Sequence, residues 1–371
     1  MWSWRSSASI GVMTLGLFIA EPRYAIAQQS VISNRGVVEI ETAGSLGISV
    51  RIVEDLANMI DDGATRRVIP VVGKGALQNL ADLRYLRGID MAILPTDILE
   101  YAKEQQLSPE ITTSLTYVTK LHNEELHILT RAEIEDVRDL ANGQVNLDVR
   151  GSATAVTTAR VFRLLNIPIR PAYDSPEAAL EKLKKREIAA VAFVASKPAP
   201  LFLSLQGGRD LHFLEIPITS ATSNAYIPTR LTAADYPGLI APDRSIDTLA
   251  VSNVLAVAEL RQMPERYRNV ANFVDAFFTS FQSLLSPGHH PKWAEVNVAA
   301  ELPGWRRYAP AEQWLQRNMQ IAKAPNPETL RAMFSRFVDE RRSAIGGEAM
   351  SQQDKDALFQ QFKNWQRVQP Q

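Results

Sequence analysis

The sequence repeats one local pattern, an apolar strand that runs into a glycine-containing loop and then directly into a helix. The segment Val37–Thr42 shows it first, because its β-branched residues predict a strand and apolar positions at helical spacing follow from Ile48. Three loops share this design: Gly44-Ser45-Leu46-Gly47, Gly73-Lys74-Gly75 and Gly151-Ser152-Ala153-Thr154. Strands that alternate with helices in this way predict an α/β fold with a mainly parallel sheet.

The length of the chain predicts two lobes. It has 371 residues, of which 46% are apolar and 22% are charged, and this is enough for about two domains with their own cores. The rhythm changes near residue 117, where Tyr117–Lys120 and Leu126–Leu129 predict two strands around a polar bend at His122–Glu125. One of these strands is expected to cross into a second lobe. Beyond Pro264 the pattern predicts helices only.

The N-terminus is typical of an export signal. Arg5 supplies a positive charge, an apolar run of eleven residues spans Ile10–Ala20, and Ala25-Ile26-Ala27 offers small residues for signal peptidase. A bilayer-spanning helix needs about 20 apolar residues, so the run is too short to remain as an anchor. We therefore expect a Sec-type signal peptide cleaved after Ala27, and a mature protein in the periplasm without stable membrane insertion. The alternative is a buried N-terminal helix.

Composition excludes several classes of function. The 40 basic and 41 acidic residues nearly balance, which argues against a nucleic-acid partner and against a polybasic membrane-surface protein. The chain contains no cysteine, so disulfides, thiolate nucleophiles and iron–sulfur clusters are excluded. His122 and His127 do not have the spacing of metal ligands on one helix or strand face, and no G-x-S-x-G motif occurs. No metal, cofactor or enzymatic activity is predicted.

The three glycine loops are candidates for anion binding. Glycine lets the backbone approach a ligand, and the free N–H groups at a helix N-terminus attract negative charge. Each loop taken alone is better explained as a turn that caps a helix. Three such loops in two lobes favour an anion-binding cleft at the carboxyl ends of the strands. Arg150, directly before the third loop, is a candidate partner for a carboxylate or else a solvated loop residue.

Several segments, in order, resemble the solute-binding proteins of TRAP transporters, TAXI type. The segment Thr42–Gly47 is similar to the glycine loop that opens this family. The other similar segments are Gly75–Leu80, Gly88–Ile93, Val118–Leu129 with Glu125 and His127, Asp139–Gly143, Gly151–Thr154, Ile188–Pro198, Ala225–Pro228 and Tyr236–Gly238. They cover residues 36–310. The chain departs from the family at Ile48-Ser49-Val50, where aromatic residues are usual, and at Ala76 and Ala153, which replace serine and glycine.

The resemblance implies an α/β, two-lobed periplasmic-binding-protein fold (type II-like) with crossover strands. Residues 321–371, beyond the similar segments, are expected to add a helical C-terminal extension. It implies that the protein captures a small organic anion, a carboxylate or amino acid, between the lobes and delivers it to the membrane permease subunits of a TRAP transporter. The implied ligand-binding residues are Gly44, Ser45, Gly75, Asn79, Arg150, Gly151, Ser152, Thr154 and Tyr226.

The expected domain order is a signal peptide at residues 1–27, the first part of lobe 1 at 28–122, lobe 2 at 123–224, the return to lobe 1 at 225–320 and the helical extension at 321–371. Two alternatives to transport remain at this point. One is an extracytoplasmic sensor or scaffold of the same fold, and the other is an exported enzyme on this scaffold.

Overall fold

The computed structural model describes residues 36–43, 47–107, 115–205 and 210–319. The signal peptide predicted at residues 1–27 and the helical extension predicted at 321–371 lie outside the described residues.

The described chain contains strands and helices in alternation. The strands are β1 Val37–Ala43, β2 Arg67–Gly73, β3 Met91–Pro95, β4 Thr116–Arg131, β5 Gln144–Asn146, β6 Arg170–Ala172, β7 Ala190–Ala195, β8 Leu211–Phe213, β9 Ile227–Thr232 and β10 Ser245–Val257. The α-helices are α1 Ser49–Ile60, α2 Ala76–Tyr85, α3 Ile98–Glu104, α4 Ala153–Leu164, α5 Pro176–Lys184, α6 Pro200–Leu203, α7 Ser220–Ala225, α8 Pro264–Ser280 and α9 Ala309–Met319. Short 3₁₀ helices span Val137–Leu140, Phe281–Leu285 and Pro291–Glu295.

The strands form a mixed sheet in the order β2-β1-β3-β10-β4-β7-β5-β6, with β8 paired to β4 and β9 to β10. Its two halves have the same design. In one, β1 pairs in parallel with β2 and β3, and in the other β5 pairs in parallel with β6 and β7. The long strands β4 and β10 run antiparallel to each other and join the halves. This arrangement confirms the predicted α/β fold with crossover strands.

The prediction of two strands around a bend at His122–Glu125 was wrong. β4 is a single strand of 16 residues that continues through this polar segment. Glu124 and Glu125 pair with Val251 and Ala250 of β10, and Glu125 also pairs with Ala195 of β7. The pairing buries the polar side chains, so a run that is typical of an exposed bend lies in the middle of the sheet.

Separate hydrophobic cores stabilise the two halves of the sheet. The first core is built on β1–β3 and on helices α1, α2, α3, α8 and α9. Helix α1 contributes Ile52, Val53, Leu56 and Ile60 from one face, as expected for an amphipathic helix. Two further cores cover the faces of β5 and β7, with α4 on one side and α5 on the other. We call the first assembly lobe 1 and the second lobe 2.

Candidate ligand-binding site

A cavity of about 310 Å³ lies between the lobes, at the carboxyl ends of the parallel strands of both. Lobe 1 contributes the ends of β1 and β3 and the loop between β2 and α2. Lobe 2 contributes the loops that follow β5 and β6 and the end of β7. The crossover strands add Glu124 and Asn253. Apolar residues make up much of the lining: Ala43, Ile93, Pro95, Val149, Ala153, Pro176, Phe193, Val194 and Ala195.

The second and third glycine loops, predicted to face a common cleft, lie in direct contact. The backbone amide of Leu77, in the first turn of α2, donates a 3.0 Å hydrogen bond to the carbonyl oxygen of Gly151. Gly75 has a φ of +141°, and a Cβ atom there would lie 3.1 Å from the same oxygen. The contact therefore requires glycine at position 75, both for the backbone conformation and for the close approach.

Ser152 and Thr154 line the cavity, but their hydroxyl groups also bind the protein itself. Ser152 Oγ accepts a 3.1 Å hydrogen bond from the amide of Ala155 and so caps helix α4. Thr154 Oγ1 accepts a 3.0 Å hydrogen bond from the amide of Val194 on β7. These bonds fix the start of α4 against the strand beside it.

Among the described residues, four charged side chains line the cavity, and three of them are acidic. They are Glu124, Asp148, Glu177 and Lys74. Burial raises the pKa of Asp148, while hydrogen bonds from the Val149 amide and the Ser152 hydroxyl oppose this shift because they stabilise the ionised carboxylate. The charge of the lining is therefore negative when all four groups are ionised.

Glu124 is the most deeply buried of these four residues. It is only 8% exposed and lies on the crossover strand β4. The imidazole of His122 lies beside it, with Nε2 3.8 Å from Glu124 Oε1. The same Nε2 atom is 3.2 Å from Asn253 Nδ2. Glu124 could not be recognised as a site residue from the sequence, because its burial depends on strands that are distant in sequence.

Four described residues that were predicted to bind ligand lie outside the cavity lining: Gly151 at the contact with Leu77, and Asn79, Arg150 and Tyr226. Asn79 is fully buried behind the second glycine loop, where a Cβ at Gly73 would clash with its Oδ1 and with Glu41 Oε1. Neither polar side-chain atom of Asn79 has a hydrogen-bond partner among the described residues. Arg150 is exposed and stacks on the ring of Tyr173, with its guanidinium carbon 4.0 Å from the ring centre.

Tyr226 also lies outside the lining, in a polar network that connects the lobes. Its hydroxyl donates a 2.8 Å hydrogen bond to Asp97 Oδ2, at the start of α3 in lobe 1. Burial raises the pKa of Asp97, and the bond from Tyr226 and the charge of Arg160 oppose this shift. Arg160 of α4 also forms an ion pair of 3.1 Å with Glu104.

The last two predicted residues, Gly44 and Ser45, lie outside the described residues.

Two α/β lobes, joined by antiparallel crossover strands and enclosing a cavity at the ends of their parallel strands, define the periplasmic-binding-protein fold. Among the described residues, no helix is both long enough and apolar enough to cross a membrane. The chain belongs to the NMT1-like family, whose family model matches residues 40–270.

Comparison with solved structures gives distant similarities to binding proteins. A Streptococcus pneumoniae substrate-binding protein of an ABC uptake transporter, with bound histidine, matches with a TM-score of 0.42 at 12% identity, over 69% of this chain and 92% of that one. The alkanesulfonate-binding protein SsuA from Xanthomonas axonopodis pv. citri, bound to MOPS, gives 0.41 at 15% identity, over 83% and 93%. The periplasmic aliphatic sulphonate binding protein SsuA from Escherichia coli gives 0.40 at 17% identity, over 78% and 94%. Comparison with curated protein sequences gives no match.

Proposed function

We propose that the protein is an exported solute-binding protein that holds a small polar solute between its lobes and delivers it to a membrane permease. The observation that carries the proposal is the interlobe cavity of about 310 Å³, where residues from both lobes and from both crossover strands meet. A cavity formed at such an interface can enclose a small solute when the lobes close and release it when they open.

The proposed ligand contacts are the residues of this lining that were predicted from the sequence, Gly75, Ser152 and Thr154. Gly44 and Ser45 of the first loop are proposed with them, because Ala43 and Gly47 on either side line the cavity. The order of motifs that resemble the TAXI type supports a TRAP permease as the partner and the periplasm as the location. Cleavage after Ala27 is part of the same proposal.

We propose that the protein catalyses no reaction. The serine and threonine hydroxyls discussed above accept hydrogen bonds from backbone amides, and neither is paired with a histidine as an activated nucleophile would be. His127 is buried in lobe 2 against Tyr236, and its pKa is lowered to about 4 chiefly by burial.

Filling the cavity tests the proposal. Ala153 lines the cavity, so Ala153→Phe should place a ring in the space that a solute would occupy. A solute found by a thermal-shift screen should stabilise the natural protein and bind to it in calorimetry. Ala153→Phe should abolish this binding, whereas Ala178→Phe, at an exposed position on α5, should not. Full binding by a folded Ala153→Phe variant would contradict the proposed site.

Transport is tested separately in the cell. Deletion of the gene should abolish uptake of the identified solute, and the natural gene should restore it while the Ala153→Phe gene should not. Unchanged uptake in the deletion strain would contradict the transport role.

A further inference from the structure

We propose that the cavity selects a solute with a positively charged group, an ammonium or a guanidinium, and that Glu124 binds this group. The inference rests on the proposed function, since it assumes that the cavity holds a solute. The expected ligand is then not a simple organic anion but an amine, or an amino acid whose net charge is zero or positive.

Glu124 has the environment expected of a carboxylate that binds a cationic ligand. It is more than nine-tenths buried, it lines the cavity, and its carboxylate makes no hydrogen bond to any residue that the structure describes. His122 Nε2 is too far away for a hydrogen bond at 3.8 Å and lies closer to Asn253. A buried carboxylate is unfavourable unless a cation or a donor accompanies it, and a cationic solute would supply both.

Groups of the protein already occupy two of the helix N-termini that were predicted to bind an anion. At α2, the Leu77 amide donates to the carbonyl oxygen of Gly151. At α4, the Ser152 hydroxyl accepts from the Ala155 amide and also bonds to the carboxylate of Asp148. The positive end of α4 therefore already faces a negative charge, and a second anion there would be repelled.

The remaining charges in the cavity agree with this inference. Asp148 and Glu177 add to Glu124, and Lys74, the one basic residue in the described part of the lining, is exposed. Three carboxylates against one ammonium favour a cation over an anion. The start of α1 is a candidate site for a solute carboxylate, because Ser49 lines the cavity and no side chain of the described residues caps this helix. A zwitterion therefore fits the cavity, whereas a dicarboxylate would place negative charge beside Glu124.

Calorimetry on the full mature chain tests the inference with two sets of compounds at the same pH. The first set carries ammonium or guanidinium groups: L-lysine, L-arginine, L-glutamine and putrescine. The second set lacks them: succinate, malate and 2-oxoglutarate. We expect binding from the first set, and we expect Glu124→Gln to weaken it at least about tenfold, because a charge-assisted hydrogen bond is lost. Glu181→Gln removes the same charge from an exposed position on α5 and should leave binding unchanged.

Asp148→Asn provides a second variant should Glu124→Gln fail to fold. Its amide oxygen can still accept the bonds from Val149 and Ser152, while the charge is lost, so binding of the first set should again weaken. Tighter binding of the second set than of the first by the natural protein, or unchanged binding of the first set in Glu124→Gln, would overturn the inference and leave solute binding intact. Binding of the first set that survives Ala153→Phe would instead contradict the proposed function, because the site would then lie elsewhere.

Discussion

The amide of Leu77 and the carbonyl oxygen of Gly151, one in each lobe, form a hydrogen bond of 3.0 Å across the mouth of the cleft. A binding protein that opens to admit its solute must break this bond and form it again. The bond also explains why both loops contain glycine, since Gly75 and Gly151 adopt positive φ angles of +141° and +84° at the contact.

Gly75→Ala should shift the protein toward an open form. The new Cβ would lie 3.1 Å from the oxygen of Gly151, so the loops would have to separate by a few tenths of an ångström at this contact, which weakens the closed form. We expect affinity to fall about tenfold if the closed state loses about 1.4 kcal/mol. We also expect the radius of gyration with saturating solute to increase in X-ray scattering.

Gly63→Ala is the matched control for this change. Gly63 also has a positive φ, +71°, but a Cβ there would meet nothing within 4 Å. Both variants should lose stability through backbone strain, of the order of 1–3 kcal/mol. Only Gly75→Ala should lose affinity, and an equal loss in both would show that backbone strain, not contact between the lobes, is responsible.

Tyr226→Phe should lower affinity for all solutes by the same factor. The change removes the 2.8 Å bond to Asp97, which connects the lobes without touching the cavity. The free energy of unfolding should fall by about 1–3 kcal/mol, because Asp97 keeps a buried oxygen without its donor.

Tyr236→Phe is the control, since its hydroxyl bonds to Ala199 and His127 within lobe 2. It should lower the melting temperature and leave affinity unchanged. A changed ranking of solutes in Tyr226→Phe would instead indicate direct contact with the ligand.

The strand–loop–helix succession could be read from the sequence because it depends on local patterns. Strands β1, β2 and β5 and helices α1, α2 and α4 lie on either side of the three glycine loops, as the pattern predicted. Helix α1, for example, buries the positions that the helical spacing selected. Local patterns of this kind decide secondary structure because each element must present one apolar face to a core.

The chemistry of the cavity could not be read in the same way. The polar segment at His122–Glu125 predicts a bend, and only pairing with β7 and β10 makes it a buried strand that points Glu124 into the cavity. One of the free amides expected at the start of α2, that of Leu77, already donates to the carbonyl oxygen of Gly151, which is distant in sequence. Asp148 could have been identified, since it follows β5 at the edge of the sheet where ligands of α/β folds bind.

Glu41 should make the protein less stable as the pH rises from about 4.5 to about 7. Its pKa is raised from 4.5 to about 7, first by burial and then by the nearby carboxylate of Asp82. Within this range the unfolded chain loses the proton while the folded protein keeps it, so the free energy of unfolding falls with rising pH and then levels off.

Glu41→Gln should remove this decline, because the glutamine side chain does not ionise in this pH range. Its melting temperature should exceed that of the natural protein more at pH 8 than at pH 5, as measured by calorimetry at both pH values. Glu181→Gln should show no such gain, since an ion pair with Lys184 lowers the pKa of that exposed carboxyl. Parallel curves for Glu41→Gln and the natural protein would contradict the expectation.

Ser152→Ala should change how solute binding depends on pH. The Ser152 hydroxyl is one of the groups that hold down the pKa of Asp148, so its loss should raise that pKa further. A cationic solute needs Asp148 ionised, and its affinity should fall as the pH falls through this pKa. In Ser152→Ala the fall should therefore begin at a higher pH, which calorimetry between pH 5 and pH 8 can measure.

The variant should also lose about 1 kcal/mol of stability, because Ser152 caps α4. Ser175→Ala removes the corresponding cap of α5, where Ser175 Oγ accepts from the Ala178 amide, and so controls for that loss. If both variants keep the natural pH profile, Ser152 acts only as a helix cap and Asp148 does not take part in binding.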